Sequence, residues 1–143
     1  MNLVKENAIE KETDHILENM QNNHKTGLLL TREEVFQLCE KRDEVLVQCG
    51  RLELNGGIME QLIDTFIDCP YITRDEFADV MEEVIEVFYT MKNECSDLID
   101  DQHLMHYMRK QLDECHGVIV MMSDAVNEYC RKTVEKGIYE PAE

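Results

Sequence analysis

An apolar stripe in the second half of the chain constrains its fold more than any other feature. Phe77, Val80, Met81, Val84, Ile85, Phe88 and Met91 recur at intervals of three and four, which places them on one face of an α-helix. A face this long must be covered by other elements, so the segment predicts a central helix. Thr73 and Glu76 precede it at the spacing of a capping box, in which each side chain bonds the other residue's backbone N–H. The helix is expected to begin there.

The remaining segments repeat that grammar. Thr31 and Glu34 form a second capping-box pair. Val35, Leu38, Cys39, Val45, Leu46 and Cys49 follow at helical spacing up to Gly50, a residue suited to a helix exit. Met59, Leu62, Ile63 and Phe66 predict a short helix from Ile58 to Asp68, with Pro70 as its stop. Asp100 is placed to cap a helix from Asp101 to Glu114, carrying Leu104, Tyr107, Met108 and Leu112 inward. Gly117 predicts a break before a last helix with Val118, Ile119, Met122, Val126, Tyr129 and Cys130. Ile9, Ile16, Leu17 and Met20 give only a narrow stripe to an N-terminal helix from Leu3 to Asn23. That helix, within residues 1–27, is expected to pack on the bundle or on a partner. Arg51-Leu52-Glu53-Leu54 alternates as a short strand does, ahead of a turn signal at Asn55-Gly56-Gly57, and Leu28-Leu29-Leu30 is a second extended candidate. The fold class is all-α: an irregular bundle of five or six helices in a single domain over residues 1–143, with at most a short extended segment near residues 51–54.

Charge narrows the function. The chain carries 31 Asp and Glu against 14 Lys and Arg, a formal −17. Such a field repels phosphate backbones and anionic lipid, which disfavours direct nucleic-acid binding and membrane binding. It suits a solvated surface, or one that attracts a basic partner. Met1–Glu12 is charged throughout and lacks the apolar stretch of a signal peptide. The longest uncharged apolar run, Gly117–Ser123, is too short to span a bilayer. The six cysteines include no Cys-x-x-Cys pair and are expected as reduced thiols in a cytoplasmic protein.

Candidate chemistry is sparse. His103 and His106 share a helical spacing that suits two metal ligands, and Cys115 follows with His116 behind it. A site needs about three converging ligands, so the expectation is surface histidines and no metal or other cofactor. Cys69, before Pro70, and Cys115 stand at helix ends and are the candidate reactive thiols, whereas Cys39, Cys49 and Cys130 fall on apolar stripes. No Glu-x-x-His and no phosphate-binding glycine motif occurs.

One stretch carries a resemblance. Gly50-Arg51-Leu52-Glu53 leading into Gly56-Gly57-Ile58, then Leu62-Ile63, Phe66 and Cys69-Pro70-Tyr71-Ile72, resembles an uncharacterised family of small acidic helical bacterial proteins. The likeness continues through Phe88-Tyr89 and Lys92-Asn93-Glu94, then more loosely through Asp100-Asp101 and the helix after Gly117, over about the last hundred residues. The resemblance implies an origin in Gram-positive anaerobes and supplies no catalytic residue. The expectation is a non-enzymatic interaction or adaptor protein with a protein partner. The alternatives are an acidic inhibitor or DNA mimic, and a small enzyme or metal-binding protein using His103, His106 and Cys115. The recognition surface is placed at Arg51, Asn55, Gly56, Gly57, Tyr71 and Asn93, because an exposed strand edge, permissive glycines and a rigid aromatic suit a partner chain. Oligomeric state, including a homodimer, stays open.

Overall fold

The structure, a computed structural model, describes residues 3–22, 30–53 and 57–136. Within them six helices follow one another: α1 Leu3–Asn22, α2 Arg32–Cys49, α3 Ile58–Phe66, α4 Phe77–Glu94, α5 Asp101–Glu114 and α6 Ile119–Lys136. The described residues contain no strand. No helix among them is long and apolar enough to cross a membrane. The fold class is therefore all-α.

The stripe on α4 is the hub. Phe77, Met81, Val84, Ile85, Phe88 and Met91 are buried, and α2, α5 and α6 all pack on this helix. In turn α1 lies on α2, and α3 lies on α5. Ile9 and Ile16 are the buried apolar residues of α1, with Thr13 buried between them in sequence and its hydroxyl donating to the Ile9 carbonyl at 2.8 Å. That bond lets a polar residue sit in an apolar seam without an unmet donor.

Several helix ends follow the sequence, while α3 stops at Phe66, two residues short of Asp68, and α4 starts differently. The Thr31–Glu34 capping box forms in both directions, at 3.1 and 2.8 Å. Asp100 caps α5, and Gly117 turns the chain at φ +87°. The Thr73–Glu76 box does not form. Residues 74–76 turn in the helical sense, and the amides of Glu76 and Phe77 bond the carbonyls of Thr73 and Arg74 at 3.2 and 3.3 Å. Backbone oxygens satisfy the donors that a threonine hydroxyl was expected to meet. Arg74 instead grips Glu34 with both terminal nitrogens at 2.7 Å, tying this turn to the start of α2.

The alternation at Arg51–Glu53 is also not a paired strand. The charged residues Arg51 and Glu53 turn toward the protein, while Leu52 stands 91% exposed. Leu54, Asn55, Gly56 and the segment 23–29, with Leu28 and Leu29, lie outside the described residues.

Ion pairs link the elements. Arg32 to Asp14 and Arg42 to Glu12 join α2 to α1, Lys41 to Glu86 joins α2 to α4, and Lys92 to Asp101 joins α4 to α5. Arg109 on α5 reaches Asp68 beyond α3. Part of the chain's scarce positive charge is used in this way, to bridge elements.

Candidate functional site

The polar groups of the chain collect where α2 ends, α3 begins, and α4 passes into α5. Gly50 leaves α2 in the left-handed region at φ +66°, with its N–H bonded to the carbonyls of Leu46 and Val47. This turn throws Arg51 across the end of α4. Its guanidinium donates to Asn93 Oδ1 at 2.8 Å and to both oxygens of Asp97, at 2.7 and 3.1 Å. Asn93 returns a bond from Nδ2 to the Cys49 carbonyl at 3.0 Å. The Arg51 guanidinium holds the Asp97 carboxyl below the usual carboxylate range. Beneath it lies Lys92, only 5% exposed, bonded to the Ile99 carbonyl at 2.6 Å and to Asp101 at 2.9 Å. These bonds anchor a tight turn in which Ser96 and Asp97 adopt positive φ.

A second cluster adjoins the first. Arg42 lies on the buried face of α2 and forks onto Glu12 of α1, with Asp43 accepting at 3.0 and 3.1 Å. Tyr89 on α4 donates to Glu53 Oε1 at 2.9 Å. Glu53 Oε2 is buried without a donor, 3.8 Å from Arg42 Nε. Burial therefore pushes the Glu53 carboxyl above its ordinary range, against the pull of the Tyr89 hydrogen bond and Arg42, and pushes the Tyr89 phenol up as well. Glu12, His15, Arg42, Asp43, Leu46, Glu53, Gly57 and Glu60 line a cleft of about 590 Å³ here. It is a charged seam in which Glu12, Asp43 and Glu53 gather around Arg42.

The predicted recognition residues divide between two ends of the bundle. Arg51 and Asn93 meet directly, and Gly57 borders the adjoining cleft. Asn55 and Gly56 lie outside the described residues. Tyr71 sits at the opposite end, where its Cβ would lie 2.8 Å from a methyl group on Gly117 and its ring meets His116 edge-on at 5.4 Å. The 14-residue α5 runs between the two places, a separation of about 20 Å at 1.5 Å per residue.

The histidines do not converge. His103 Nε2 is 3.1 Å from the Tyr129 hydroxyl on α6, whereas His106 is exposed. Among the described residues, no three His, Cys, Asp or Glu side chains form a group able to hold a metal ion. Cys115 is half-buried, and Cys69 is buried with its thiol 3.4 Å from Asp113 Oδ1 and its pKa raised by burial. Burial pushes Cys39 up to about 12. Cys95 and Cys130 lie buried against the last turn of α4, where their thiols donate to the Lys92 and Met91 carbonyls at 3.6 and 3.7 Å.

Sequence reasoning missed Arg42, Glu12, Glu53 and Tyr89. A signal was present: Arg42 stands between Leu38 and Val45 on the apolar face of α2, and a charge on a buried stripe must find partners.

With this geometry in hand, comparison with known proteins places the chain. The model of a family described as "Family of unknown function (DUF6323)" matches residues 15–138, and the chain belongs to that family. No curated protein and no solved structure matches it.

Proposed function

We infer that this member of the DUF6323 family works as a non-enzymatic interaction protein in the cytoplasm, and that its partner is a protein with a basic, partly apolar surface. The observation that carries this reading is the division of charge. Lys41, Arg42, Arg51, Lys92 and Arg109 are drawn inward to join elements, which leaves a surface with a surplus of acids interrupted by exposed Leu52, Val118, Val120 and Met121. Apolar side chains within a field of one sign offer anchoring and steering together.

Arg51 contributes to this reading as a brace. Its bonds to Asp97 and Asn93 hold the α2 exit rigid and keep Leu52 turned outward. Affinity capture of the tagged full chain, with the captured protein purified and rebound, tests the reading. A basic partner that binds directly is expected. A small-molecule turnover abolished by Glu53→Gln would instead make the charged cleft an active site. Displacement of the partner by duplex DNA would favour the DNA-mimic alternative.

A further inference from the structure

The longest uncharged apolar run in the chain, Gly117–Ser123, lies outside the Arg51 and Arg42 clusters. Met122 is buried and Ile119 packs partly on the core, but Val118, Val120 and Met121 are 46%, 70% and 55% exposed. The first turn of α6 contains no acidic residue, although acids favour that position and the chain has 31 of them. Helix-end electrostatics and solubility both disfavour what is found there.

This turn borders a groove of about 280 Å³ between α4 and α6. Val87, Ile119 and Val120 supply its apolar wall, and Glu83, Glu86 and Asp124 its charged rim. Glu86 is paired with Lys41 at 3.4 Å. Among the described residues no cation pairs with Glu83 or Asp124. The rim therefore differs from the Arg51 and Arg42 clusters, whose acids face cations of the same chain.

We propose that the α4–α6 groove docks an amphipathic segment of a basic protein partner, which inserts an apolar side chain against Val87 and Val120 and sets Lys or Arg beside Glu83 and Asp124. The proposal rests on the interaction reading above and gives it a surface. Charge complementarity selects this occupant over a second copy of the chain, because two copies would bring the same acids together under a formal −17 each. An apolar anchor ringed by charge matches the way amphipathic helices seat in grooves.

The test is fluorescence anisotropy with the full chain and two labelled synthetic peptides. One has Leu at helical spacing with Lys between, and the other has the same composition scrambled. The spaced peptide is expected to bind at least about tenfold tighter, the factor that 1.4 kcal/mol represents. Val120→Asp should weaken it by about tenfold, and Glu83→Gln with Asp124→Asn by about fivefold or more, on the scale of anchor residues. Val47→Asp, at a site 76% exposed at the far end of α2, should leave it unchanged. Circular dichroism of each variant shows that the fold is retained. Equal affinity for the two peptides, or an equal loss from Val47→Asp, overturns the proposal. So does a dimer that Val120→Asp dissociates. Loss on Leu52→Asp with none on Val120→Asp moves docking to the α2 exit and leaves the interaction reading standing. A chain that binds neither peptide and captures no protein defeats both.

Discussion

A methyl group on Gly117 would sit 2.8 Å from the Cβ of Tyr71 and 3.1 Å from its carbonyl oxygen. The residue also holds φ +87°, a region that costs an L-residue roughly 1–2 kcal/mol. Gly117→Ala should therefore lower stability by about 1–3 kcal/mol in a urea titration, adding contact strain to backbone strain. An unchanged midpoint would mean that the Tyr71 loop yields freely. Glu53 makes a second prediction at this scale, with its sign set by burial. Its carboxyl is raised above the ordinary 4.5, so the folded state is favoured by protonation, and a penalty grows as pH rises from that value through the raised one. Glu53→Gln keeps an acceptor for Tyr89 and removes the charge. It should melt higher than the natural protein at pH 7, with the gain fading toward pH 4.5. A variant less stable at pH 7 would show that Arg42 needs this third carboxylate.

Between elements, the same physics runs with the opposite sign at Glu34. Arg74 holds its carboxyl down to about 2, so the contribution is present above about pH 4.5 and lost as pH falls toward 2. Glu34→Gln can keep the capping box while weakening the link to the 73–76 turn. It should cost about 1 kcal/mol or less at pH 7, as befits a partly exposed pair, and progressively less as pH falls through about 2. The Arg42–Glu12 fork between α1 and α2 is a larger matter because Arg42 is only 8% exposed. Arg42→Met strands Glu12 and Asp43 and should cost about 3 kcal/mol or more. Adding Glu12→Leu should recover part of that loss, and a double variant no better than the single would contradict the pairing.

These links also explain what could be read in advance. Periodicity revealed α4, α5 and α6 because their partners are apolar faces, which bury whatever is spaced to meet them. It misplaced the start of α4, where backbone carbonyls replaced the threonine cap. It also read Arg51–Leu54 as a strand because alternation records which side chains turn inward, and here the charged ones do. The meeting of Arg51 with Asn93 and of Arg42 with Glu12 depends on tertiary placement, which spacing along one helix does not encode.

At the scale of the whole molecule, a central helix, several cations spent on bridging elements and a formal −17 leave an exterior acid surplus around a few apolar anchors. Charge at that surface acts through the solvent. Its reach shrinks from about 10 Å at 0.1 M salt to about 3 Å at 1 M. A partner recognised in this way must respond to salt, and one held by apolar contact alone need not. The measurement that tests the account most directly is the dissociation constant of the purified full chain with its captured, purified protein partner, followed across that salt range. The account predicts affinity that falls by about tenfold or more, equivalent to at least 1.4 kcal/mol, with residual binding retained by the apolar anchor. Affinity unchanged by salt, or a partner as acidic as this chain, would contradict it.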